Sequence, residues 1–358
     1  NTSRKYYFMK IFPLVTILVL ISLTVATSSV NVGTISTASN PSYGVYYNGK
    51  IYFIAQGADE LQILANNTII STIPLPSYPN PFRLAILNGD IYIVYQKGPL
   101  IELENGKVVW NYTIPHVGKY PAIISAGGYI VVTASYGNKV YFITPTHEIN
   151  SVTVMSSPQA LAYDNYTNVV YVGGFGCPYI YGISLNNFKI VQNITLNVSS
   201  VEAMVFVPPD ELAVSPGHHY FEIINLTSGK VVAFDSLPYT LGAINGYAWM
   251  CYIPYDHDIV LSIPHDSDTV VVFNDKGGLI EEVTVGEAPN GIVYDPQNHY
   301  IYVINYASST ISYFPAPSPT ATAKPIPKPN YTPYFIAIGV VVALLAVVGA
   351  MLFIRRKK

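Results

Sequence analysis

The 358-residue chain is short of charge, cysteine and tryptophan: Asp, Glu, Lys and Arg make up 11% of it, and it has 2 Cys and 2 Trp. A formal net charge of −3 supplies no basic face to neutralise phosphates, which excludes nucleic acid as a partner. Several catalytic signatures are missing as well. There is no GxSxG nucleophile elbow, no HExxH zinc helix and no CxxCH haem motif. Helical periodicity is absent from the middle of the chain. Hydrophobic residues are 50% of the total, with 31 Tyr, so a large core is available while the surface is poor in charge.

Two segments explain part of the apolar excess. Near the start, "MKIFPLVTILVLISLTVATSS" has a basic residue, Lys10, an apolar run from 11 to 25 and small residues near Ala26. This is the layout of a secretory signal, assigned to residues 1–28, with Met9 as a candidate start and an uncleaved signal anchor as the alternative. Near the end, residues 335–354 are twenty in a row without a charge, followed by Arg355, Arg356, Lys357 and Lys358. Twenty residues at a rise of about 1.5 Å cross a hydrocarbon core of about 30 Å. A transmembrane helix is therefore expected over 334–354, with 355–358 as a basic cytoplasmic tail. Residues from about 30 to 333 are then expected at the cell surface, on a single-pass membrane protein. Seven Asn-x-Ser/Thr sequons suit that side and are glycosylation candidates: Asn66, Asn111, Asn165, Asn193, Asn197, Asn225 and Asn330.

Between these ends lies a repeat. An outer strand, a small-residue and proline joint, an apolar inner strand and a turn recur in "VTVGEAPNGIVYDPQNHYIYVI", "VTVMSSPQALAYDNYTNVVYVG" and "STIPLPSYPNPFRLAILNGDIYIV". The joints fall near Pro41, Pro81, Pro121, Pro158, Val201, Pro238 and Pro289, in steps of 40, 40, 37, 43, 37 and 51, with an insertion in the sixth copy around "TLGAINGYAW". Four short strands per step of about 40 residues predict an all-β fold, a seven-bladed β-propeller over 30–314. Nearly continuous apolar runs such as "IYFIA" suit sheets covered on both faces. Asn-Gly at 48–49 and 88–89 and Gly-Gly at 127–128 mark hairpin turns. After "GIVYDPQNHYIYVINYASSTISYF" the strands stop with only three made for the last blade. The fourth is expected from "VNVGTIS", 30–36, so that the N-terminal strand closes the ring and removes a free sheet edge. Residues 315–333 carry seven prolines in nineteen residues and read as an extended stalk.

"GIVYDPQNHYIYVINYASSTISYF" resembles the YVTN-type β-propeller repeat, through Asp295, Pro296, Tyr302, Val303 and Asn305. "LAYDNYTNVVYVGG" resembles it less closely, keeping Asp164 but replacing the proline by Asn165. The three-part layout is similar to that of archaeal cell-surface, surface-layer-associated proteins. That resemblance implies an envelope protein and leaves its activity open.

Propeller ligands favour the rim where the strand 2–3 loops and the joints converge. "GGFGCPY", "SPGHHYF", "IPHDSDT" and "NYASST" are such loops, and Phe175, Tyr179, Tyr220 and Tyr306 are among their aromatic residues. His218, His219, His265, Asp266 and Asp268 are candidate ligands for a divalent metal, the alternative being solvated turn residues. The turn "DHD" at 256–258 aligns with the opposite rim. Cys177 and Cys251 are a disulfide candidate in an exported chain, but the register places them in blades four and six. A bridge needs Cα atoms within about 7 Å, so two separate thiols, with Cys251 buried, are the alternative. Sialidase-type Ser-x-Asp-x-Gly boxes are absent, and two tryptophans cannot ring a quinone site. The expected function is a membrane-anchored extracellular binding or scaffold module for a protein or glycan of the cell envelope. The alternative is an ectoenzyme, a hydrolase, lyase or oxidoreductase, with a rim metal. With few carboxylates, acid is expected to cost the fold little stability.

Overall fold

The structure is a computed structural model that describes residues 30–197, 200–215, 220–236, 249–263 and 268–318. The chain divides into two compact units, Asn1–Val30 and Asn31–Lys358, and every described strand belongs to the second. The expected signal (1–28), most of the stalk and the expected span (334–354) lie outside the described residues. Among the described residues no helix is long and apolar enough to cross a membrane.

The second unit is all β: seven four-stranded antiparallel sheets. The first strand, β1 (Gly33–Ser36), belongs to the last blade. Blade one is β2 (Pro41–Tyr47), β3 (Lys50–Ala55), β4 (Glu60–Ala65) and β5 (Thr68–Pro74). Blade two is β6 (Pro81–Leu87), β7 (Asp90–Tyr95), β8 (Leu100–Glu104) and β9 (Lys107–Tyr112). Blade three is β10 (Ile123–Ala126), β11 (Tyr129–Ala134), β12 (Lys139–Ile143) and β13 (Ile149–Thr153). Blade four is β14 (Pro158–Asp164), β15 (Val169–Gly174), β16 (Tyr179–Ser184) and β17 (Lys189–Thr195). Blade five is β18 (Ala203–Val207), β19 (Glu211–Ser215), β20 (Tyr220–Asn225) and β21 (Lys230–Ser236). Blade six is β22 (Met250–Ile253), β23 (Asp258–Ile263), β24 (Thr269–Asn274) and β25 (Leu279–Thr284). Blade seven is β26 (Pro289–Asp295), β27 (Tyr300–Asn305) and β28 (Thr310–Pro315), completed by β1 in the order β1-β28-β27-β26.

Four inner strands, β2, β6, β14 and β26, begin at their joint prolines. The sixth joint, near Pro238, and most of its insertion lie outside the described residues. Five of the joints are tied to the strand 2–3 loop of the blade they open by one recurring hydrogen bond. The residue at the joint takes a positive φ (Asn40, Asn80, His116, Ser157, Ala288). Its carbonyl accepts the N–H of Gln56, Gln96, Tyr136, Phe175 and Tyr306 respectively, at 2.9–3.2 Å. The small and polar residues around the prolines are there to make this bend; Asn tolerates the left-handed region because its short polar side chain bonds locally. The expected Asn48-Gly49 and Asn88-Gly89 turns both have positive φ at each residue, as two-residue hairpins require.

The middle strands are covered on both faces, which explains their unbroken apolar runs: β15 and β23 are buried at every position. The core lies between blades. One cluster joins Ile54 and Leu61 of blade one to Leu84, Ile93 and Tyr95 of blade two. Another joins Ile180 and Ile194 of blade four to Leu212, Val214 and Ile224 of blade five.

The motif that resembles the YVTN repeat has structural work in this chain. Asp295 is buried, and its carboxylate accepts the N–H of Gln297 (2.9 Å) and of Asn298 (3.4 Å) and the Asn298 Nδ2 (2.8 Å), closing the β26–β27 turn. Asp164 does the same in blade four, accepting from the N–H groups of Tyr166 and Thr167 and from the Thr167 hydroxyl. Tyr302 reaches blade one, donating to Asn67 Oδ1 at 2.7 Å. Asn305 Nδ2 donates to Ser312 Oγ (2.9 Å) and Thr310 Oγ1 (3.1 Å), which is why a Ser/Thr-rich strand follows. Asp295→Ala is expected to cost about 2 kcal/mol, because it strands backbone donors in a tight turn. Urea unfolding checks this; an unchanged midpoint would refute the turn-closing role.

Candidate functional site

Several sequence-predicted site residues lie outside the described residues: His218, His219, His265, Asp266 and Asn330, and the side chain of Tyr220. Asp268, the described member of the expected metal set, is engaged in backbone closure. Its Oδ1 accepts the Ala288 N–H at 3.0 Å and its carbonyl accepts the Val285 N–H at 2.8 Å. Among the described residues no group of three His, Cys, Asp or Glu side chains is placed to hold a metal. The "DHD" turn does fall on the opposite rim, between β22 and β23. There Asp258 is buried, and burial, Asp256 and Asp275 push its carboxyl up to about 7.

The cysteine pair is corrected. Cys177 and Cys251 are both free thiols. Cys177 is buried in the β15–β16 loop among Met155, Val172 and Leu185, whereas Cys251 lies on β22 beside the propeller axis. Blade five separates their sheets. Of the sequons, Asn66, Asn111, Asn165, Asn193 and Asn197 are exposed. Asn225 is half-buried and committed to the fold, donating to Asp210 Oδ2 (2.9 Å) and accepting the Ser228 N–H (2.9 Å).

The loop rim carries exposed aromatic residues, two of them expected (Phe175, Tyr179) and two not (Tyr136, Tyr78). Phe175 is 57% exposed and Tyr136, in the neighbouring blade's loop, is 61% exposed; Tyr78 and Tyr179 join them at 39% and 37%. Tyr306 is half-buried.

The axis itself holds a site that sequence reasoning missed. Residues just after the joints, from different blades, converge there: Arg83 from blade two, Gln159 from blade four, Glu202 from blade five and Trp249 from blade six, with Tyr43 of blade one. They line a chamber of about 90 Å³. Arg83 is 5% exposed and Glu202 8%. The Arg83 guanidinium lies over the Trp249 ring at 4.1 Å and near the Phe82 and Tyr43 rings at 5.2 and 5.9 Å, and its Nη1 donates to the Gln159 carbonyl at 3.3 Å. Trp249 is fixed by donating Nε1–H to Asn290 Oδ1 at 2.6 Å. Burial lowers the Arg83 pKa to about 10, partly offset by Tyr43. Even so, the guanidinium stays charged at neutral pH. Burial raises the Glu202 carboxyl to about 8, so at neutral pH it is mostly protonated and can donate. Its Oε2 has no hydrogen-bond partner.

One signal pointed to this site. Arg83 is the only arginine between residues 5 and 354, and it stands inside the apolar strand "PFRLAIL".

Below this chamber the axis widens to a cavity of about 670 Å³, and the two share Tyr43, Ile124, Leu161, Met204, Met250 and Ile292. The wide chamber is walled by aromatic and apolar side chains of the inner strands, among them Tyr46, Tyr163, Phe206 and Tyr294. It opens between the strand 1–2 turns, where Asn165, Pro208, Pro254 and Pro296 line it. Cys251 faces it, with its thiol pushed up to about 12 by burial, and so is a poor nucleophile.

A separate, partly buried cluster sits in blades two and three. Glu102 accepts from the Tyr92 hydroxyl (2.6 Å) and contacts His147 Nε2 (2.6 Å), and the His147 ring stacks on Trp110 at 4.4 Å. It joins the two blades and lines neither axial chamber.

No family model matches the chain, and no curated protein does. Solved structures match its fold. Virginiamycin B lyase from Staphylococcus aureus is 16% identical, with a TM-score of 0.67 over 79% of this chain and 99% of that one. A chain in the crystal structure of the mitotic checkpoint complex is 9% identical, at 0.68 over 89% and 100%. Kuenenia stuttgartiensis hydrazine synthase is 13% identical, at 0.67 over 83% and 99%. At these identities the likeness shows the propeller fold and nothing of its chemistry.

Proposed function

We propose that the chain is a cell-surface binding or scaffold module, a propeller that offers its loop rim to a protein or glycan of the envelope. The observation that carries this reading is the pair of exposed aromatic side chains on adjacent blades, Tyr136 and Phe175, at 61% and 57% exposure. Exposed aromatic faces of this kind stack on sugar rings and anchor protein interfaces. The stalk, the apolar segment at 334–354 and the resemblance to YVTN-type surface proteins support the envelope setting. Tyr136→Ala and Phe175→Ala together are expected to weaken retention of envelope material by about tenfold or more, without moving the thermal midpoint. Crosslinking in the native membrane, followed by mass spectrometry for protein and sugar, identifies the partner class. Undiminished retention by the double variant would defeat the reading.

A second reading, an ectoenzyme with a rim metal, has one observation in its favour. The strands flanking His218 and His219 (β19, β20) and those flanking His265 (β23, β24) belong to neighbouring blades. Elemental mass spectrometry of the full chain, purified without chelator, separates the two. A stoichiometric divalent ion lost on His265→Ala supports the enzyme; a blank leaves the binding module.

A further inference from the structure

The axial chambers adjoin, sharing six lining residues, and neither includes the rim aromatics Tyr136 and Phe175. The two ends differ in chemistry. The wide end, about 670 Å³, falls in the range of small-molecule pockets and has aromatic and apolar walls. The narrow end, about 90 Å³, has room for about three water-sized groups, which is the size of a carboxylate's carbon and two oxygens.

The narrow end is also where the polar groups are. Arg83 and Glu202 stand on blades two and five, nearly opposite each other around the ring, and no ion pair joins them. Glu202 is 8% exposed and lines the chamber with Oε2 unpartnered. A buried carboxyl oxygen without a partner is costly, and such groups in folded proteins ordinarily meet water or a ligand. Facing the chamber are a guanidinium and a carboxylic acid, both donors at neutral pH. An acceptor-rich, anionic head group can accept from both. A cationic head would meet the guanidinium as a like charge.

We propose that the axial cavity binds an amphipathic monocarboxylic acid entering between the strand 1–2 turns. Its apolar body lies among Tyr46, Tyr163, Phe206 and Tyr294, and its carboxylate lies between Arg83 and Glu202. The carboxylate accepts from the guanidinium and from the Glu202 acid proton, and no bond is made or broken. The apolar body displaces water from aromatic walls, and the Tyr43 and Trp249 rings hold the guanidinium flat at the inner end.

The chain carries its own reporter. Trp110 and Trp249 are its only tryptophans, and Trp249 lines the narrow chamber. In full chain bearing Trp110→Phe, titration with 4-phenylbutyrate is expected to change Trp249 emission saturably. Calorimetry on the unmodified chain should show 4-phenylbutan-1-ol binding about tenfold or more weaker, since the hydrogen bonds it loses are to charged or acidic groups. Arg83→Met and Glu202→Leu should each weaken the acid and leave the alcohol unchanged. Equal binding of acid and alcohol to the unmodified chain, or no saturable binding of either at millimolar concentration, overturns the proposal. That comparison needs no substitution, so it stands even if Arg83→Met fails to fold.

Discussion

Thr34→Pro together with Ile35→Pro is expected to lower the thermal midpoint by about 10 °C and to make the protein self-associate. The two positions are consecutive in β1, which pairs residue for residue with β28, Thr34 opposite Ser312 and Ile35 opposite Ile311. In an antiparallel ladder one of two consecutive residues exchanges hydrogen bonds with its partner, so one proline necessarily removes a ladder donor. Ile35 also packs against the cluster of Ile304, Ile311 and Tyr302 between blades seven and one. Gly33 lies so close under the Tyr313 ring that a Cβ there would stand 2.2 Å from it, so any side chain at this position would displace the ring. Beyond β1, the joint is held by Thr37 N–H to the Ser309 carbonyl and Asn40 Nδ2 to the Tyr306 carbonyl. Losing the ladder and the Ile35 contact costs about 4 kcal/mol. The second effect follows from the same geometry. With β1 undocked, β28 becomes a free edge and presents unpaired backbone groups to other molecules. Size-exclusion chromatography and a thermal scan check both. A monomer whose midpoint stays within about 3 °C of the unmodified protein would show that closure contributes little.

That strand illustrates what could be read from the sequence. The missing outer strand of blade seven was visible because the repeat is one-dimensional: polarity, period and proline position each mark the same joints. The expected strand at 30–36 forms as Gly33–Ser36, shorter at its start. Proline and Asn at the joints reflect a backbone bend that every blade must make, so local residues report it. The axial site is of another kind. Arg83, Gln159, Glu202 and Trp249 are spread over 167 positions and meet only because inner strands converge on one axis. No local pattern encodes that meeting. Superposing the joints would have brought them to one level, had a charge inside an apolar strand been treated as a signal. The cysteines failed for a related reason. An even cysteine count says nothing about distance, and blade five keeps blades four and six apart. Asp268, expected as a metal ligand, accepts the Ala288 N–H at the joint, and the other members of that expected set lie outside the described residues.

Glu202→Gln is expected to raise stability at pH 8 and to flatten its pH dependence. Among the described residues, the carboxyl groups with displaced pKa values are all displaced upward. Glu202 is raised to about 8 and Asp258 to about 7, with Glu211, Glu222 and Asp256 shifted the same way, burial being the first cause in each. A carboxyl whose folded pKa exceeds its unfolded value binds its proton more tightly in the fold. Its stabilising contribution is complete below the unfolded pKa, near 4.5 for Glu202, and is lost as pH rises toward the folded value. For Glu202 alone, the loss between pH 5 and pH 8 is about 3 kcal/mol. The groups around it are Arg83, which stays charged throughout that window, and Tyr43, whose hydroxyl burial raises further above it. Neither titrates between pH 5 and 8, so the slope belongs to the carboxyls. This gives the expected acid tolerance a physical cause beyond scarcity of charge: the buried acids prefer their protonated form. Glutamine keeps the shape and a donor while removing the ionisation, so the variant should match the parent at pH 5 and exceed it at pH 8. Urea midpoints at the two pH values decide the matter. A parent midpoint that rises from pH 5 to pH 8, or a Glu202→Gln slope equal to the parent's, would show that Glu202 is ionised at no cost and that the chamber is wetter than its burial indicates.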